Sequence, residues 1–144
     1  MSQLTLLLLL LITAAPLGCS PEVIKSIRLQ EFTRGTQRSI EVDAEKTVVI
    51  INEAEETTKT DPVVWKELKG QILDLPLTAL DKVTVLSKKH QFDGALAASL
   101  TITTPDSTYT SPTFDHNAPP AELKAIVDRL YQQVPAAMRE RFGQ

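Results

Sequence analysis

Residues 95–104 read ALAASLTITT. Leu96, Ala98, Leu100 and Ile102 fall on one side of this stretch, and Ala97, Ser99, Thr101 and Thr103 on the other. A period of two, with one apolar and one hydroxylated side, is the pattern of a half-buried β-strand. Strands of this kind belong to antiparallel sheets with one wet face. The flanks agree. Asp93-Gly94 is a turn signal just before it, and Pro105 in TPDS suits the second position of a type I turn just after it. TYTSPTFD (108–115) then returns as the partner strand. Pro112 within it has no N–H to give a ladder, which marks an edge or a ladder end.

Upstream the same period recurs. VIKSIRLQEF (23–32) alternates at Ile27 and Leu29, and its phase slips near Phe32, which predicts a bulge or a strand end. TRGTQR is a turn containing Gly35. SIEVD puts Ile40 and Val42 on one face, DAEK turns the chain, and the β-branched TVVIINE (47–53) is a third strand. EAEETTKT (53–60) is polar and reads as a solvated loop. Asp61 then serves as N-cap with Pro62 at the first helical position. Val64, Leu68 and Ile72, with Trp65 and Leu75 beside them, form a helical stripe that Pro76 ends. LTALDKV adds a short helical turn, and SKKHQFDG reads as a loop. Past the last strand, Leu123, Ile126, Val127, Leu130 and Val134 recur at i, i+3, i+4, i+7 and i+11, the strongest amphipathic helix of the chain. Pro120 opens it, Pro135 ends or kinks it, and AAMRERF forms a last short turn. The expected order is β-β-β-α-β-β-α: an α+β fold with an antiparallel sheet of about five strands, covered on one face by two helices.

The chain has 144 residues, a net charge of −3 and 42% hydrophobic residues, which suits one small domain with a real core. Its Lys and Arg are scattered, so it lacks the basic footprint of a nucleic-acid binder and a polybasic membrane patch. The single cysteine, Cys19, excludes an intramolecular disulfide, so packing must hold the fold.

LTLLLLLLITAA (4–15) carries no charge and is too short for an ordinary membrane span, which needs about 20 residues. It has the length of a signal-peptide h-region, followed by small residues. Leu17-Gly18-Cys19 behind it resembles the lipobox of bacterial lipoproteins. Pro16 stands where that class usually carries Leu, and the n-region MSQ lacks Lys and Arg. The resemblance implies cleavage after residue 18, a diacylglyceryl group on the Cys19 sulfur and acylation of its amine. Two or three acyl chains hold a domain on a bilayer, whereas one holds it weakly. The alternatives are an ordinary secretory signal cut nearby or an uncleaved anchor. Ser20, rather than Asp, follows the cysteine, which by resemblance favours the outer membrane. The expected organisation is a signal peptide over 1–18 and one domain over 19–144, with residues 20–23 a very short tether.

The string TRG, a Trp on the first helix, FDGA, FDHNAPP and the closing amphipathic helix resembles a group of uncharacterised bacterial predicted lipoproteins, over most of residues 24–134. The resemblance implies the lipoprotein address and no activity.

Two histidines each lie near an aspartate: His90 with Asp93 in HQFD, and Asp115 with His116 in FDH. Imidazole and carboxylate ligands suit Zn²⁺. The hairpin places residue 96 opposite about 115, so both pairs share one end of the sheet without converging unless the loops fold together. The plainer reading gives Asp93 to the Gly94 turn and Asp115 to bracing the turn before the prolines. Arg34 and Arg38 could hold a carboxylate or phosphate through guanidinium forks, or form an ordinary solvated turn. Ser87, Ser99 and Ser111 lack a nucleophile elbow. Trp65, Tyr109 and Phe114 read as core, with a ligand groove as the alternative for the last two. No cofactor is expected. The sequence points to a lipid-anchored envelope protein that binds an envelope partner without catalysis, using the open sheet face and the loops at 34–38, 87–94 and 115–119. The alternative is a small metal-dependent enzyme or metal-binding protein using His90, Asp93, Asp115 and His116.

Overall fold

A computed structural model of the chain describes residues 23–143. The signal segment 1–18 and Cys19 lie outside the described residues. Four strands come first: β1 (Ser26–Thr33), β2 (Thr36–Asp43), β3 (Lys46–Ile51) and β4 (Ala54–Lys59). Helix α1 (Pro62–Leu73) follows, then 3₁₀ turns at Leu77–Lys82 and Lys89–Phe92. Strands β5 (Ala97–Thr103), β6 (Thr108–Thr110) and β7 (Phe114–Asp115) precede α2 (Lys124–Tyr131) and α3 (Ala136–Phe142). The sheet runs β4-β3-β2-β1-β5-β6, with β7 also on β5, and every pairing is antiparallel.

Each hairpin turn has a local cause. Gly35 takes φ 79° in the two-residue turn between β1 and β2, a conformation glycine adopts without steric cost. Asp43 Oδ1 accepts from Glu45 N at 2.7 Å and Lys46 N at 2.8 Å, closing the next turn. Asn52 sits at φ 53°, and its Oδ1 accepts from Gln37 N at 2.9 Å. Asn tolerates that region better than other side-chain-bearing residues.

The alternation read from the sequence sets the layers. Ile27, Leu29, Ile40, Val42, Val49, Ile51, Ala98, Leu100 and Ile102 are buried on one face. Val64, Trp65, Leu68 and Ile72 of α1 pack over them with Ile126, Val127 and Leu130 of α2. Leu123, Val134, Met138 and Phe142 complete the core. The other face carries Arg28, Gln30, Ser39, Glu41, Ser99 and Thr101 and, among the described residues, no helix of the core. Asp61 caps α1 as expected, its Oδ1 accepting from Val63 N at 2.8 Å.

The α+β antiparallel architecture stands, and the count changes. Among the described residues the sheet has seven strands where about five were expected, and three α-helices form where two were expected. Residues 54–59, read as a solvated loop, form β4, in full register with β3 from Lys46↔Lys59 to Ile51↔Ala54. Its polarity is that of an edge strand, which resists pairing with other chains by carrying charge. The phase slip at Phe32 is neither bulge nor end: β1 pairs regularly through Thr33↔Thr36. Glu31 takes the inward position and Phe32 points out. The return strand splits into β6 and β7 at Pro112. There Ser111 spans the break, its N donating to Leu100 O at 2.9 Å and its Oγ accepting from Leu100 N at 3.0 Å.

Candidate functional site

Register gathers the loops at one end of the sheet. Phe32 pairs with Gln37 and with Ala97, Arg38 with Ile51, and Ala97 with Asp115. The turns at 34–35 and 52–53, the segment 87–96 and residues 115–119 therefore share that end. At the other end Ser26 faces Asp43 and Thr103, and Lys25 N donates to Thr103 O at 2.7 Å. The described chain starts there.

Two polar networks build the loop end. The first grows from the cross-strand pair Glu31↔Arg38, on the core side of the sheet in line with Leu29 and Ile40. Glu31 is 1% exposed and Arg38 8%. Arg38 Nε donates to Glu31 Oε2, and Tyr131 Oη donates to Glu31 Oε1. Arg38 Nη1 donates to Phe142 O at 2.6 Å, and the guanidinium stacks 4.6 Å from the Phe142 ring centre. Tyr131, at the end of α2, meets Phe142, at the end of α3, edge to face at 6.1 Å. Burial, followed by the charge of Glu31 and the hydrogen bond to it, pushes the Tyr131 phenol far above its usual range. The phenol therefore remains a donor. A buried charge needs a partner and filled hydrogen-bonding sites, and here two helix ends supply them.

The second network centres on Asp115, which is fully buried. Its Oδ2 accepts from Ser87 Oγ and from Lys89 N at 2.9 Å. Its Oδ1 accepts from His90 N at 2.8 Å and His90 Nδ1 at 2.6 Å. Burial alone would push this carboxyl up. The bonds from Ser87, from His90 backbone and ring, and from Lys89 outweigh burial and hold it well below the usual carboxylate range. All of the roughly four acceptor positions of a carboxylate are filled. Asp115 thus fastens the 87–90 segment to the sheet.

The sequence-selected residues separate on this frame. His90 meets Asp115 and not Asp93. Asp93 is exposed at φ 59°, at the end of the 3₁₀ turn that Gly94 N closes onto Lys89 O. His116 uses Nδ1 to accept from Leu96 N at 3.1 Å. That bond leaves its ring proton on Nε2. Arg34 is exposed in the turn, while Arg38 points inward, so the two do not form one fork. Among the described residues no three His, Cys, Asp or Glu side chains are grouped to hold a metal ion. Trp65 and Phe114 are core, and Tyr109 packs against it.

Beside the first network lies a cleft of about 360 Å³, lined by Arg38, Leu96, His116, Asn117, Tyr131, Phe142 and Gly143. It holds an apolar wall and several donors. Sequence reasoning placed Asn117 within the 115–119 loop without singling it out, and missed Glu31, Tyr131 and Phe142. The inward phase of Glu31, opposite Arg38, was the one available signal. The open sheet face has a smaller depression of about 130 Å³ beside Arg28, Gln30, Gln37 and Ser39.

Comparison with known protein families, with curated proteins and with solved structures finds no match for this chain.

Proposed function

We propose that the protein is a lipid-anchored binding module of the bacterial cell envelope, held at Cys19, on the outer membrane facing the periplasm, and without catalysis of its own. Leu17-Gly18-Cys19 after the apolar run supports the anchor. The carrying observation for a binding role is the opposition of the two ends. The chain enters at the Ser26 end, and the cleft and loops gather at the Phe32 end. Six residue steps of about 3.3 Å separate them, roughly 20 Å. A tether of three or four residues then holds one end near the bilayer and presents the cleft end outward. The partner is another envelope component. The filled acceptor shell of Asp115 favours a bracing role for that residue over metal chemistry.

The test is site-specific photo-crosslinking in intact bacteria. A photoreactive side chain at Asn117 samples the cleft end, and one at Asp106 samples the Ser26 end. The reading expects a discrete adduct from position 117 and none from 106. Adducts from 106 alone, or from neither position, would overturn it.

A further inference from the structure

The cleft at the loop end offers more free side-chain donors than acceptors: the Glu31 carboxylate beside it is engaged, which leaves the Asn117 amide oxygen against the protons of Arg38, His116 and the Asn117 amide. Arg38 gives Nε to Glu31 and one Nη1 proton to Phe142 O. Both protons of Nη2 and one of Nη1 have no partner among the described residues. His116 spends Nδ1 on Leu96 N, which leaves the Nε2–H donor. Asn117 is exposed, and its side chain makes no hydrogen bond among the described residues. On the acceptor side, Glu31 is engaged by both Arg38 and Tyr131. Leu96, the Tyr131 ring and Phe142 supply the apolar wall.

From this we infer that the cleft takes the carboxylate end of a small ligand, with a short apolar portion lying against Leu96 and Tyr131. A carboxylate offers about four acceptor positions and no donor, the complement of this lining. The planar guanidinium fork matches carboxylate geometry. Glu31 holds Nε through one oxygen and balances the charge, and Phe142 O holds Nη1, so the guanidinium is fixed before any ligand arrives. A volume of about 360 Å³ equals roughly a dozen waters at about 30 Å³ each. That admits a group the size of a short acyl chain or two terminal residues of a peptide. The inference rests on the cleft end being the working end. It does not depend on lipidation, so it can fail while Cys19 is acylated, and the reverse.

The test is titration calorimetry on the full chain purified from membranes in detergent. The probes are N-acetyl-dialanine as the free acid, the same compound as its C-terminal amide, butyrate, and inorganic phosphate. The free acid is expected to bind at least tenfold tighter than the amide. Asn117→Asp sets a like charge at the mouth, in an exposed residue without hydrogen bonds, and is expected to weaken the acid at least tenfold with melting unchanged. Arg38→Lys keeps the charge opposite Glu31 and removes the fork. It should weaken binding similarly if folding survives, and Asn117→Asp decides the matter if it does not. Comparable binding of butyrate identifies a free short acid as the source, and binding of the peptide acid alone identifies a chain terminus. Either supports the inference. Equal binding of acid and amide, tighter binding of phosphate, or no heat from any probe at 10 mM, on the order of the weakest useful affinities, would overturn it.

Discussion

Asp115→Asn isolates what the buried carboxylate contributes. The substitution preserves shape and removes the charge. Oδ1 can still accept from His90 N and Nδ1, at 2.8 and 2.6 Å in the wild type. The new amide NH₂ confronts Lys89 N, which had donated at 2.9 Å to Oδ2. Ser87 Oγ can turn to accept, but the Lys89 conflict has no such remedy. Hydrogen bonds to a charged group contribute about 1.5–3 kcal/mol each, and a stranded buried donor costs about 1–3 kcal/mol. Counting one lost bond and weaker survivors, the cost is about 2–4 kcal/mol. For a domain of this length that corresponds to a fall in Tm of roughly 8–16 °C. Thermal melting and urea unfolding at pH 7 measure it. The pH dependence adds a second check. The native carboxyl lies below its unfolded value, so its stabilisation is fully present above the unfolded pKa of about 3.9 and is lost as pH falls below it. The gap between wild type and Asp115→Asn should therefore narrow as pH falls below about 4. A Tm change under about 2 °C, or a gap that is constant from pH 7 to pH 3, would refute the bracing role.

Breaking the buried Glu31–Arg38 pair by Arg38→Met alone should cost about 3–5 kcal/mol, and Glu31→Leu with Arg38→Met together much less, because only the single change strands a buried charge; urea midpoints of the three proteins test this. Tyr131→Phe deprives Glu31 Oε1 of its donor and should cost about 1–3 kcal/mol by the same assay. Leu86 is 92% exposed and Phe92 84%, so their changes to Ala should alter stability by no more than about 0.5 kcal/mol. Leu100→Ala, at a fully buried position in the sheet centre, should cost about 2–5 kcal/mol.

The sheet was legible where one face is buried, because burial imposes the period of two. That is why Ala98, Leu100 and Ile102, and Ile40 and Val42, were found, whereas Leu96 lies before β5 and is only half-buried. β4 was hidden because an edge strand of AEETTK pairs through its backbone and leaves no apolar trace. The β1 phase slip misled for a related reason. Glu31 occupies a core-side position, and only a tertiary partner, Arg38 with Tyr131 above it, makes a carboxylate acceptable there. The candidate site was half visible. The shared sheet end of residues 90 and 115 follows from hairpin register, but Asp115, expected to brace the turn before the prolines, spends its carboxylate on the 87–90 segment instead. Local spacing could not reveal that His90 would turn from Asp93 to Asp115. Nor could it bring Phe142, more than a hundred residues along the chain, onto Arg38.

The most direct measurement is the intact mass of the protein isolated from bacterial membranes, wild type beside Cys19→Ser. The account predicts a wild-type chain that begins at Cys19 and carries acyl mass, and a variant without that mass. A wild-type chain that begins elsewhere and bears no lipid would contradict it, and the case for a membrane-tethered binding module would fall with it.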